Sequence, residues 1–215
     1  MRLLPRVKRS TLRDRAVWQA ASLLLAYPDE QHADRLDTVA SLLEHLDGKP
    51  AESLRRTLSA LRAADPLTAA TDYVDTFDMR RRATLYLTYW TAGDTRNRGM
   101  AMLAFSTAYR RAGVEPPRKE GPDHLPVVLE FAATVDAEAG RRLLVANRMP
   151  IDVLATALAA AGSPYAHTIA AVAATLPAVT DQQVQRAREL VEAGPPTESV
   201  GLHPFSLTVP PREGG

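Results

Sequence analysis

Apolar positions recur at three- and four-residue spacings along most of this chain, the period of helices that bury one face. Ala16, Val17, Ala20, Leu23 and Leu24 form a stripe that predicts a helix over 13–27. It should stop at Tyr27-Pro28, because a residue ahead of proline is steered out of the helical region. A second helix is expected to begin near Asp29 and carry Leu36, Val39, Leu43 and Leu46 up to Gly48. A third follows Pro50 with Leu54, Leu58 and Leu61. Asp65-Pro66 reads as an N-cap with proline at the first helical position, opening a helix through Leu67, Ala70, Tyr73, Val74 and Phe77. Asp94 is placed to cap a helix through Met100, Leu103, Ala104 and Ala108, with Gly113 as its left-handed terminator.

The run Thr84-Leu-Tyr-Leu-Thr-Tyr-Trp90 nearly alternates β-branched and aromatic residues, which by itself suggests a strand. No second strand-like run exists to pair with it, so the expectation is helix. Residues 121–133 combine a proline-stiffened turn with an apolar helix. Asp123 is a good N-cap there, and Pro126 falls in the first turn, where a missing N–H costs little. This helix should continue to about Gly140, and another should run from Arg141 toward Gly162, kinked or split by Pro150. Ser163-Pro164 restarts a helix that ends at Pro177, and Thr180 opens the last one, which ends at Gly194. The predicted fold is all-α: a single helical-bundle domain of about ten helices, with a hinge between two helical halves left open. Its expected bounds are a basic arm at 1–12, the helical domain at 13–194 and a proline-rich irregular tail at 195–215.

Composition narrows the chemistry. The 215 residues are enough for a real core, and with no cysteine there is no disulfide, zinc ribbon, iron–sulfur cluster or cysteine nucleophile. His32, His45, His124, His167 and His203 are scattered without the i, i+4 spacing of a helical metal site, so neither metal nor cofactor is expected. Net charge is +1, which gives the whole molecule no field suited to nucleic acid. Basic residues nevertheless cluster at Arg2–Arg15 and Arg80–Arg82. A nucleic-acid-binding helical adaptor using that arm is therefore the alternative reading, against a solvated end. Residues 1–10 lack the apolar stretch of a secretory signal, and the uncharged run 153–180 is broken by Gly162-Ser163-Pro164, so a cytoplasmic protein without membrane insertion is expected. There is no glycine-rich phosphate loop or nucleophile elbow. The nearest approach to a catalytic set is Asp123, His124 and Glu130, without a nucleophile, so the chain is not expected to be an enzyme. Capping by Asp123 and simple filling of the first turn by His124 account equally for that spacing.

Three blocks, taken together, resemble the nitrate reductase assembly chaperones, the delta-subunit or NarJ family. They are Ser22–Asp29; Tyr73–Asp78 running on to Gly93–Gly99; and Pro122-Asp-His-Leu-Pro126 with Leu129-Glu130, in order over about residues 16–180. The resemblance implies an all-helical fold shared with other molybdoenzyme chaperones. It further implies a partner, the apo catalytic (alpha) subunit of nitrate reductase, bound chiefly by its N-terminal segment and kept competent for molybdenum cofactor insertion before membrane docking. Cofactor-delivery proteins are further implied partners. The motif positions are Phe77, Asp78, Asp94, Arg96, Arg98, Gly99, Asp123, His124, Leu125, Pro126 and Glu130. On this reading the partner peptide is bound by Tyr86, Tyr89, Trp90, Asp123, His124, Leu125, Pro126, Leu129 and Glu130, its apolar side laid in a groove anchored by some of Tyr86, Tyr89, Trp90, Leu125, Val128 and Leu129, while Asp123 and Glu130 meet its basic residues. The competing assignment puts Tyr86, Leu87 and Trp90 in the core. Gly121 replaces an apolar residue of the family pattern, which implies a looser turn.

Overall fold

The computed structural model describes residues 11–80, 83–93, 96–178 and 185. The arm at 1–10, Arg81, Arg82, Asp94, the side chain of Arg96, nearly all of the expected last helix and the proline-rich tail lie outside the described residues. Among the described residues there are ten α-helices and no named strand.

Helix α1 (Leu12–Leu24) starts where Thr11 accepts from Asp14 N and Asp14 accepts in return from Thr11 N, a reciprocal capping box. It is the central element, packing against α2 (His32–Glu44), α7 (Leu125–Glu130), α10 (Tyr165–Thr175) and the π-helical turn Phe131–Val135. Trp18 is fully buried and its indole N–H donates to Thr175 Oγ1 at 2.8 Å, while Ser22 Oγ donates to Pro126 O at 2.8 Å. These bonds tie α1 to α10 and to α7. Helix α3 (Gly48–Ala63) packs on α10, where Thr168 donates to Thr57 and Thr57 to Pro164 O inside the core. Pro50, expected to separate two helices, lies in the first turn of α3, where no N–H is missed.

Helix α4 (Pro66–Tyr73) begins as expected: the Asp65 carboxylate accepts from Leu67 N and Thr68 N, with Pro66 at the first position. It ends in a π turn, Val74–Asp78, closed by Met79 N donating to Val74 O. Helix α6 (Arg96–Arg111) ends at Gly113 with φ +80°, the left-handed terminator anticipated.

Two expectations fail for identifiable reasons. Residues 84–88 are not helical; α5 is only Tyr89–Ala92. Leu87 N donates to Asp123 O and Leu125 N to Leu85 O, forming an isolated antiparallel bridge between Tyr86 and His124. The extended Asp-His-Leu turn is the partner strand that the pattern alone did not reveal. The helix expected from Asp123 to Gly140 starts at Leu125 and breaks at Asp136, whose carboxylate caps α8 (Ala137–Ala146) through Glu138 N and Ala139 N. A 68° bend then separates α8 from α9 (Arg148–Ala160), leaving Pro150 in the first turn of α9. The uncharged run is accordingly divided between α9 and α10, and among the described residues no single helix is long and apolar enough to cross a membrane. One continuous cluster of buried apolar side chains extends from Val17 to Leu176 through both halves of the chain.

Candidate functional site

Asp123 does not cap its helix. The N-cap is His124, whose side chain makes no capping bond, and Asp123 is completely buried. Its Oδ2 accepts from Thr88 N at 3.1 Å and from Thr88 Oγ1 at 2.6 Å, with Arg98 3.9 Å away. This is a latch between the 84–88 segment and the start of α7, and it keeps the Asp123 carboxylate off the surface, away from a partner's basic residue. Leu125, Pro126, Val128 and Leu129 are buried in the same core, and Trp90 packs with Val153 in a satellite cluster, so among the described residues these side chains line no open groove. The reason is the stripe itself: α7 is short and covered by α1, so its apolar positions are used up by packing.

His124 and Tyr86 are placed differently. Their rings meet at a 36° tilt with 5.0 Å between centroids, and the Arg98 guanidinium stands 5.1 Å over the Tyr86 ring and 5.8 Å from that of Tyr89. Tyr86 Oη donates to Glu120 Oε2 at 3.0 Å. Burial, reinforced by that carboxylate, pushes the Tyr86 phenol up to about 12. Burial holds the His124 imidazole below its ordinary value, against the opposing pull of Glu120, Asp123 and Asp78. His124 Nδ1 is 3.8 Å from Glu120 Oε2 and has no hydrogen-bond partner. Gly121 tightens this corner: a Cβ there would fall 2.9 Å from Asp123 Oδ1 and 3.1 Å from Tyr86 Cε1.

Tyr86, His124 and Glu120 open on a cavity of about 250 Å³ whose other walls are Tyr27, Tyr73, Phe77, Asp78, Thr84 and Leu85. Tyr73 supports it from below, donating to Leu25 O and meeting Tyr27 edge-on at 5.4 Å and Phe77 at 4.8 Å. The π turn after α4 brings Phe77 and Asp78 to the wall. Asp78 and Glu120 are the acids among the lining residues, and among the described residues no lysine or arginine lines it. An aromatic box with two carboxylates and an imidazole whose protonation burial disfavours suits a cationic group. Among the described residues no three His, Asp or Glu side chains converge to hold a metal ion.

Of the residues expected to bind a peptide, the cavity unites only Tyr86 and His124, together with Phe77 and Asp78 of the motif. Tyr89 is half-buried beside Arg98, Gly99 is exposed on α6, and Glu130 is exposed at the C-terminal end of α7, at a separate depression. Tyr27, Tyr73 and Glu120 were not expected at the site. The two tyrosines stand inside the sequence blocks already singled out, whereas nothing in the sequence distinguishes Glu120.

Residues 30–171 match the family model described as nitrate reductase delta subunit. Over 159 residues, 74% of this chain, it is 65% identical to the nitrate reductase-like protein NarX of Mycobacterium tuberculosis, but the match spans only 24% of that relative. It is 32% identical to a candidate nitrate reductase molybdenum cofactor assembly chaperone, NarJ, of Bacillus subtilis, covering 74% of this chain and 87% of that one. It is 35% identical over 52% of its length to the nitrate reductase molybdenum cofactor assembly chaperone NarJ of Escherichia coli, 49% of which is covered. A crystal structure of a candidate redox enzyme maturation protein from Archaeoglobus fulgidus shares the fold, with a TM-score of 0.56 at 22% identity over 80% of this chain and 98% of that one. With two thirds of its length matched by the family model, the chain belongs to the nitrate reductase delta subunit family.

Proposed function

We propose that this protein is a dedicated assembly chaperone without catalytic turnover. It binds the apo catalytic subunit of respiratory nitrate reductase, chiefly through that subunit's N-terminal segment, and keeps it competent for molybdenum cofactor insertion before membrane docking. The observation that carries the reading is convergence. Tyr27 from the first sequence block, Tyr73, Phe77 and Asp78 from the second and His124 from the third meet in one acidic aromatic cavity. Arg98, also of the second block, backs its Tyr86 wall. Relatives bearing the chaperone name at 32% and 35% identity support the same role. The cavity would take a lysine, arginine or amino-terminal ammonium of the client segment, with Asp78 and Glu120 supplying charge and Tyr27, Tyr73 and Tyr86 supplying ring faces. The nucleic-acid alternative finds no support in these relatives.

The test is calorimetric titration with a synthetic peptide of the N-terminal segment of the nitrate reductase catalytic subunit from the same genome. Wild-type protein should bind it at about micromolar Kd, and Glu120→Gln or Asp78→Asn should weaken binding severalfold with the thermal melt unchanged. Absence of binding both to the peptide and to the intact apo subunit would overturn the assignment.

A further inference from the structure

The geometry points to a second seat for the same client segment, a depression of about 300 Å³ farther along α7 that takes one apolar side chain flanked by a cation. This inference rests on the chaperone reading above. The floor of the depression is the edge-to-face pair of Tyr109 and Phe131, 4.7 Å between centroids. Val127 forms a wall, and the rim carries the exposed carboxylates of Glu115 and Glu130. Among the described residues no basic side chain lines it, and the charged groups on its border are Glu115 and Glu130.

Two observations tie this depression to the first cavity. His124, the N-cap of α7, and Val127, Phe131 and Thr134 along α7 and its π turn fall three, four and three residues apart, close to the spacing of one helical face. His124 lines the first cavity and the other three line the second. At about 1.5 Å per residue, six residues from His124 to Glu130 separate the seats by roughly 9 Å. That is a little under two turns of a bound helix or about three residues of an extended segment. The second observation is the backbone. From Phe131 to Val135 the helix opens into a π turn, which places Val135 at the surface, 45% exposed, beside the depression. π turns of this kind are enriched at functional sites. Charge complementarity selects the occupant: a client segment carrying a basic residue next to an apolar one, the latter buried on Tyr109 and Phe131 and the former paired with Glu130 or Glu115.

The same peptide titration, run at low and moderate salt, separates the two seats. Thr134 is exposed and its hydroxyl only bonds back to Glu130 O at 2.8 Å, so Thr134→Trp fills the depression from its edge without disturbing the core. Thr134→Trp should weaken peptide binding about tenfold or more, the equivalent of losing one buried apolar side chain. The double variant Glu115→Gln, Glu130→Gln should weaken it about threefold and flatten its salt dependence. If Glu120→Gln weakens binding while all three depression substitutions leave affinity and salt dependence unchanged, the second seat is refuted and the chaperone reading stands. If the wild-type protein binds neither the peptide nor the apo subunit, both fall together. Weakening by the depression variants with unchanged circular dichroism melts supports the second seat, whatever the first cavity contributes.

Discussion

Asp123 tests whether the Pro-Asp-His-Leu-Pro block is a contact surface or a joint. Replacing Asp123 with alanine deprives two buried donors, Thr88 N and Thr88 Oγ1, of their acceptor. A buried donor left unpaired costs about 1–3 kcal/mol. Arg98 at 3.9 Å is partly exposed and contributes little by comparison. The two lost bonds therefore sum to about 2–6 kcal/mol. In a chain of 215 residues, each kcal/mol lowers the melting temperature by about 2–4 °C, so Asp123→Ala should melt roughly 10 °C below the wild type. Asp123→Asn keeps an oxygen acceptor and should lose about half of that. Thermal unfolding followed by circular dichroism is the assay, with Thr88→Val completing a double-mutant cycle whose coupling should be at least about 1 kcal/mol. A melt of Asp123→Ala within about 2 °C of the wild type would refute the latch. Were that variant also unable to bind client peptide, Asp123 would be a contact after all.

Three further outcomes follow from packing and charge. Gly140→Ala would put a Cβ 2.3 Å from Ala132 Cβ and 2.4 Å from its Cα, so α8 must shift off the π turn; the urea midpoint should fall by the equivalent of about 3 kcal/mol. An unchanged midpoint would mean that the two segments are not in close contact. Thr168→Val removes only a donor to Thr57 and should cost about 1 kcal/mol, whereas Thr57→Val strands both Thr168 Oγ1 and Pro164 O and should cost about 2–3 kcal/mol in the same assay. His124 and His32 both have imidazoles held below their ordinary value, first of all by burial, so the unfolded chain binds protons more readily. Stability should be complete above the unfolded value of about 6.5 and decline as pH falls from there to the folded values. His124→Asn should flatten that decline, and a wild-type melting temperature independent of pH between 7 and 5 would contradict it.

The helices were legible wherever the signal is local. Asp65-Pro66 and Gly113 act within one turn of themselves, and both do what their chemistry dictates. The errors arise where a residue's partner is remote in sequence. Residues 84–88 alternate like a strand and pair like one, but their partner is a turn some 35 residues away that has no strand character of its own. The break at Asp136 was hidden for a related reason. An aspartate on a helical pattern reads equally as an exposed polar residue, and the turn that its cap begins is completed by the close approach of Gly140 to Ala132, eight residues back.

The same division runs through the candidate site. Sequence blocks locate the walls, because Tyr27, Phe77, Asp78 and His124 all lie within them, but blocks do not say which of their residues face outward. In the Pro-Asp-His-Leu-Pro block, Asp123 latches, Leu125 and Pro126 fill the core, and His124 alone turns its ring to the cavity. The extended backbone at His124, φ −65° and ψ 121°, makes that turn possible, and it follows from pairing with Tyr86. The block thus works as a frame that aims one imidazole and, through Tyr86, one phenol. Substitutions of its other members should disturb client binding by moving these two rings, with a loss of stability to match. Asp78 and Glu120 are exposed, and the Tyr86 hydroxyl bonded to Glu120 keeps an oxygen acceptor in Glu120→Gln, so Asp78→Asn and Glu120→Gln should change binding while leaving the melt where it was.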